Sequence, residues 1–344
     1  MATTKVGGGV VNLNSDNTAF KMPVGSSPFT GTPVAGMIRN NTSVTNNDAT
    51  TVFEYYDGTQ WVGLGTVAFP KIDFLVIAGG GAGGSNPVTG AHGGGGGAGG
   101  YRTSYGTGDI SGGNSPVESP YTPTSGTIYT ITVGAAASQN TTANDSSIVG
   151  GTINLVSLRG GYGGDSYLNQ AQDGGSGGGG SNGGNQRFEG SGTSGQGTDG
   201  GFGGVLNAGG GGGGAGETGF NSGPSNNFGG DGGSGLASLI TGTSVIRAGG
   251  GGGAGAQTGG AGGAGGGGQG GSGGYGGSGT ANTGGGGAGG TGYLQAGSGG
   301  SGVVILRMLT SNYSGTTTGN PTVDQSSVTG TTILIFNGSG TYTH

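Results

Sequence analysis

The chain has 344 residues, 102 of them glycine, with a net charge of −6, 7% charged residues and no cysteine. The three lysines form no basic stripe for nucleic acid, and the absence of cysteine excludes disulfides and thiolate metal sites. No apolar run reaches the length of a membrane span, and collagen needs a strict three-residue repeat and far more proline than the 10 present.

Residues 1–68 have ordinary composition. The stretch TTVFEYYDGTQWVGLG reads as a strand, a turn at Asp57-Gly58 and a second strand. The N-terminus, MATTKVGGGVVNLNSDN, lacks the regions of a signal peptide. Residues 69–309 hold the glycine. They open on KIDFLVIAGGG and close on GSGVVILRML, continuous apolar runs expected as strands buried on both faces. TIYTITVG, GTINLVSLRGG and TSVIRAGGG lie between them as further strands that run on into glycine. The joins SNPVTGAH, DSYLNQAQD, NQRFEGSGTSGQ and ETGFNSGPSNNF read as turns by composition. Residues 310–344 are rich in Ser and Thr and end in TTILIFNGSGTYTH, expected as a final β-hairpin.

Within the glycine there is a beat of three. Gln269, Ser272, Tyr275 and Ser278 are each separated by two glycines, as are Asp199, Phe202 and Val205, then Phe228, Asp231 and Ser234, and Tyr162 and Asp165. That is the period of an extended polyproline-II-type helix, not of an α-helix or a strand. In such a helix x-G-G puts every side chain on one edge and leaves two edges of bare backbone. Ordering so much glycine is costly, and a flexible linker needs no period. The expected fold is therefore all-β with packed polyglycine-II helices: a small N-terminal β module, a glycine-rich sandwich and a C-terminal β-hairpin. The unbroken runs 93–97, 209–214 and 249–253 suit its centre and the x-G-G runs its outer layers.

Catalytic motifs are weak. Gly79, Gly81 and Gly84 fit G-x-G-x-x-G after a strand, but no helix can follow in SNPVTGAHGGGGG, so a dinucleotide site is rejected. One copy of a nine-residue calcium repeat occurs at GGYGGDSYL, where tandem copies are needed, and Asp165 reads as a surface residue. His92 and His344 are far apart, and a lone histidine beside glycines reads as solvated. The carboxylate pairs Asp165 with Asp173 and Glu189 with Asp199 read as loop residues. The chain is expected to be no enzyme and to use no metal or cofactor. Recognition chemistry gathers in the joins: Tyr167 and Asn169; Gln186, Arg187, Phe188 and Glu189; Phe220, Asn221, Asn226 and Asn227. Aromatic rings beside amides suit sugar faces and hydroxyls. Phe202 and Phe228, on the beat, read equally well as caps that shield the glycine from water.

The segment GMIRNNTS followed by FEYYDGTQWVGLG, with Met37, Ile38, Arg39, Tyr56 and Trp61, resembles a short module of bacteriophage tail-fibre and other virion proteins. Asn40 stands where that module has tyrosine. The ordered elements FLVIAGGGAGG, GAGGYR, YTITVGA, TANTGGGG and GGSGVVILR resemble the glycine-rich domain of phage structural proteins. The layout is similar to tip adhesins of T-even-like long tail fibres. These resemblances imply a virion protein, assembled in the host cytoplasm and attached to other virion proteins through its first module. They imply a homotrimer without membrane insertion. The loops are expected to contact a host glycan or outer-membrane protein. The alternative is a purely structural head or tail decoration without a dedicated receptor.

Overall fold

The computed structural model describes residues 24–25, 38–41, 50–56, 58–68, 70–85, 90–106, 110–139, 141–165, 170–182, 188–223, 227–292 and 295–344. It is all-β, and its only helical turns among these residues are Gly112–Asn114 and Thr310–Asn312. The chain divides into two units, Met1–Phe69 and Pro70–His344.

The first unit is one sheet of β1 (Val24–Gly25), β2 (Ile38–Asn41), β3 (Thr50–Tyr56) and β4 (Trp61–Ala68), in that order. β3 and β4 form the expected antiparallel hairpin, with Tyr56 opposite Trp61 and a bulge at Phe53/Glu54. Gly58 turns the chain at φ 108°, a region that disfavours any other residue.

The second unit is built on β5 (Asp73–Ile77), β6 (Tyr101–Thr103), β7 (Ile110–Ser111), β8 (Ser115–Pro116), β9 (Ile128–Thr132), β10 (Ser146–Gly150), β11 (Ile153–Ser157), β12 (Leu236–Ser238), β13 (Val245–Arg247), β14 (Val303–Leu309), β15 (Thr316–Thr318), β16 (Thr322–Asp324), β17 (Thr331–Phe336) and β18 (Gly340–Thr343). One sheet has the order β16-β17-β14-β5-β6 and another β11-β10-β9-β18-β15. The two apolar runs that bracket the glycine pair directly with each other, Val303 opposite Ile77 through Arg307 opposite Asp73. Phe74, Val76, Val304, Leu306, Leu334 and Phe336 pack against Tyr129, Ile131, Ile148, Leu155 and Tyr342 to form the core between the sheets. The reverse face of the first sheet presents Leu75, Ile77, Val303, Ile305 and Ile333 to Ala98, Ala215, Ile240 and Ala248. Both faces of β5 and β14 are thus covered, as their unbroken apolar sequences require.

The last residues differ from expectation. β17 pairs with β14 and β16, whereas β18 pairs with β9 and β15. TTILIFNGSGTYTH is therefore no hairpin. Phe336 and Tyr342 are both fully buried in the same core from opposite walls, and this is met by crossing from sheet to sheet rather than by folding back in one.

The glycine tracts are neither strand nor helix, and their backbone groups bond from tract to tract. Along 93–100, Gly93, Gly96 and Gly99 donate to Gly290, Gly287 and Gly284. Gly94, Gly97 and Gly100 donate to Gly164, Gly161 and Leu158, and Gly95 and Ala98 donate to Gly210 and Gly213. The carbonyls of the same tract accept from Gly81 and Gly84, from Ser176 and Gly179, and from Gly251 and Ala254. One tract thus has six neighbours, and each neighbour is met again every third residue. The tract 209–215 has the same environment, donating to 248–254, 177–180 and 217–220 and accepting from 95–98, 198–201 and 230–233. The unbroken runs 93–97, 209–214 and 249–253 are all buried, whereas Asp199, Phe202, Val205, Phe228, Asp231, Gln269, Ser272, Tyr275 and Ser278 on the x-G-G beat are exposed. Asp165 departs from this pattern. It is 2% exposed, not a surface residue, and lies beside the buried Tyr162. Burial, then the Asp165 charge, push the Tyr162 hydroxyl up to about 12.

At the rim, a side chain substitutes for the missing neighbour. Asp173 Oδ1 accepts from Ser191 N at 2.6 Å, Asp199 Oδ1 from Gly192 N at 2.7 Å, Asn221 Oδ1 from Phe202 N at 2.8 Å and Asp231 Oδ1 from Ala261 N at 2.6 Å. Each satisfies an N–H that no tract faces.

A Cβ on Gly212 would lie 2.0 Å from the carbonyl oxygen of Gly96, with backbone on both sides. Gly212→Ala is expected to cost at least about 3 kcal/mol or abolish folding, while Gly338→Ala, with nothing within 4 Å, changes stability by less than about 0.5 kcal/mol; thermal or denaturant unfolding measures both. Asp199→Ala is expected to cost about 1 kcal/mol and Asp199→Asn, which keeps the acceptor, less, by the same measurement.

Candidate functional site

The tracts thread up and down, and the hydrogen-bond registers fix which ends coincide. Tracts leave the sandwich from β5, β11 and β13 and enter it at β6 and β14. Gly100 meets Leu158 beside the strands, and Gly94 meets Gly164 one tract length away. Followed along the chain, the connections 193–196, 215–217, 265–267 and 280–284 return at the sandwich end, as does the β12–β13 hairpin. The described residues 85, 90–91, 182, 188, 205–208, 223, 227–228, 256–258, 272–275, 291–292 and 295 all lie at the opposite end.

Short polar bonds tie the described residues of this distal end together. Asn182 Oδ1 accepts from His92 N at 2.7 Å, and Asn182 Nδ2 donates to the carbonyls of Gly90, at 3.0 Å, and Leu206. Asn182 thereby fastens three connections at once. Asn207 Nδ2 donates to Asn227 Oδ1 at 3.3 Å, Gln257 N to Asn227 O at 3.0 Å, and Ser272 Oγ to Gln257 O at 2.7 Å. Thr291 Oγ1 donates to Gly274 O at 3.1 Å. His92 is 7% exposed rather than solvated, because the 291 bridge and Asn182 cover it. Burial holds its imidazole below the ordinary 6.5.

Of the residues singled out from sequence, Tyr167, Asn169, Gln186, Arg187, Asn226 and Met37 lie outside the described residues. Ile38 and Arg39 are on β2, and Tyr56 and Trp61 face each other across the β3–β4 hairpin. Phe188 is 54% exposed and sets its ring edge-on to Phe202, centroids 6.0 Å apart. Glu189 Oε2 is buried without a hydrogen-bond partner among the described residues. Phe220 is 50% exposed, but its backbone belongs to the lattice: its N–H donates to Asp231 O, and its carbonyl accepts from Gly211 N. ETGFNSG is thus a tract, not a turn. Composition misses this because the spacing of Glu217, Phe220 and Gly223 keeps the three-residue beat without the paired glycines. Asn221 and Asn227 each spend their amide oxygen on neighbouring tracts.

Phe202, Phe228, Val205 and Leu206, at 43, 41, 58 and 61% exposure, join this group. Ser222 N donates to Phe202 O and Gly223 N to Phe228 O, so both phenylalanines flank the tract that carries Phe220. Their place on the beat was the available signal, since x positions of edge tracts point outward.

Other cavities are less open to a ligand. A cleft of about 320 Å³ is lined by Arg102, Ser111, Glu118, Ser194 and Gln196. Its charges are closed on themselves, with Arg102 Nε and Nη2 on the Glu118 carboxylate at 2.7 and 2.6 Å and Nη1 on Val156 O at 2.9 Å. Among the described residues no three His, Asp or Glu side chains are grouped to hold a metal ion, and no helix is long and apolar enough to cross a membrane.

Asn182→Ala is expected to lower stability by about 1–3 kcal/mol, since it removes the acceptor of the buried His92 N–H and the ties to the Gly90 and Leu206 carbonyls. Thermal unfolding measures the loss.

No curated protein and no solved structure is significantly similar to this chain. A family model described as a glycine-rich domain matches residues 64–309, from β4 through the whole tract array to β14. That match spans more than half of the chain, and the chain belongs to the glycine-rich domain family.

Proposed function

We propose that this chain is a bacteriophage virion fibre protein that binds the host cell surface through the distal end of its glycine array. In this reading the tracts are polyglycine-II helices. The period of three in the bonds, six neighbours around one tract and the burial of the unbroken runs support that geometry. An eight-residue tract then holds the distal connections about 25 Å from the strands it leaves. The unit 1–69 attaches the protein to other virion proteins, and trimer formation multiplies the binding ends.

The observation that carries the reading is the threading itself. It gathers the described far ends of the tracts, with Phe188, Phe202 and Phe228 exposed among or beside them, at the end opposite the sandwich. A structural lattice alone has no need to expose these three phenylalanines and Phe220 besides. Loops on a rigid scaffold are the usual carriers of recognition.

Phe188→Ala is expected to reduce saturable adsorption of the purified, labelled protein to host cells by about tenfold or more, with the thermal midpoint unchanged within a few degrees. Adsorption equal to wild type by the folded variant favours a decoration without a receptor. Release of sugar from host polysaccharide would indicate an enzyme instead.

A further inference from the structure

If the distal end binds a host surface, the edge of the array narrows the chemistry of the receptor, and the assignment below the level of "host surface" rests on that binding role. The tracts 197–204, 217–223 and 228–235 are hydrogen-bonded side by side at the rim, through Gly219 N to Asp199 O and Phe220 N to Asp231 O. They carry Phe202, Phe220 and Phe228, all between 41 and 50% exposed, and Phe188, Val205 and Leu206 extend the same apolar surface. Phe188 and Phe202 are in ring contact.

Three features of this face select among ligands. First, its apolar groups are phenylalanine, valine and leucine, which have no hydroxyl or indole N–H to meet a sugar. Secondly, the amide oxygens that would accept from sugar hydroxyls are already engaged. Asn221 Oδ1 holds the Phe202 N–H, and Asn227 Oδ1 holds Asn207 Nδ2. Thirdly, the described charges on these tracts are of one sign. Glu189, Asp199 and Asp231 lie on them or beside them, residues 188–235 contain no lysine or arginine, and Arg187, next to Phe188, lies outside the described residues. The Asp199 and Asp231 carboxylates are fixed in place by Gly192 N and Ala261 N, so the field at the apolar surface is fixed as well.

We propose that this face binds a protein, through a surface loop that presents aliphatic or aromatic side chains flanked by lysine or arginine. The rings of Phe202 and Phe228 bury the partner's apolar groups, and the carboxylates pair with its cationic rim. The same carboxylates repel acidic polysaccharide.

The probe is a panel of bacterial cells tested for saturable adsorption of the full chain, those that bind it then used untreated, after proteinase K and after periodate oxidation of surface glycans. Proteinase treatment is expected to abolish adsorption, and periodate to leave it within about twofold. The pair Phe202→Ser with Phe228→Ser is expected to weaken adsorption by at least about tenfold. Raising NaCl from about 0.05 to about 0.5 M is expected to weaken it, because salt screens the carboxylates. A circular-dichroism melt establishes that the double variant is folded. Should that pair disturb the rim, Val205→Ser with Leu206→Ser probes the same face outside the tract bonds.

Adsorption that survives proteinase but not periodate overturns the protein assignment while leaving the surface-binding role intact. Wild-type adsorption by both folded pairs overturns the assignment of this face. Saturable adsorption to no cell in the panel, at any salt, removes the surface-binding role and this inference with it.

Discussion

Where two interior tracts meet, the carbonyl oxygen of one occupies the place that a Cβ would take on the other. Gly95 faces the oxygen of Gly251, Gly212 that of Gly96 and Gly250 that of Gly212, each at 2.0–2.1 Å from the ideal Cβ position. Glycine is therefore required at these positions by contact rather than by backbone angle. Packing at this distance lets every N–H along 93–100 and every C=O along 93–98 find a partner on one of six neighbours. The described interior of the array is mostly backbone, with small side chains such as Ala98, Ala215, Ala248, Ala254 and Ser176 and a few larger buried ones such as Tyr162 and Asp165. Hydrogen bonding and close contact offset the conformational cost of ordering glycine.

The sandwich has a different task. It holds the hydrophobic cluster between its sheets, and its first sheet turns a second apolar face to the array's roots through Leu75, Ile77, Val303 and Ile305. The pairing of β5 with β14 closes the chain on itself, bringing together the two segments that bracket the whole array. The array's threading sorts connections into two sets, those packed near the sandwich and those at the far end. Asn182, spanning three far-end connections, shows how that end is held without a core of its own.

Much of this was legible in the sequence. The bracketing strands, the β3–β4 hairpin and the layering of unbroken runs inside x-G-G runs follow from periodicity and local composition. The rest depends on long-range pairing. That β17 and β18 part into two sheets is set by which partners Phe336 and Tyr342 find, and Asn337-Gly338 reads as a hairpin turn in either case. ETGFNSG hides a lattice tract because Phe220 and Asn221 take positions that glycine usually fills. Asp165 and His92 look solvated beside glycine, yet they are buried by tracts that arrive from elsewhere in the chain. Of the residues the sequence offered for recognition, Phe188, Phe220, Asn221 and Asn227 lie at the rim and distal end, and Phe202 and Phe228 are exposed beside them.

The most direct test of the account is residue-resolved amide hydrogen exchange on the full chain. Throughout 93–100, 209–215 and 248–255 every amide should exchange slowly, since each donates to another tract. In 228–235, Gly229, Gly230, Gly232 and Gly233 should be slow and Asp231 between them fast, giving a period of three. Alternation with a period of two, or fast exchange throughout the unbroken glycine runs, would contradict a lattice of tracts bonded on all sides.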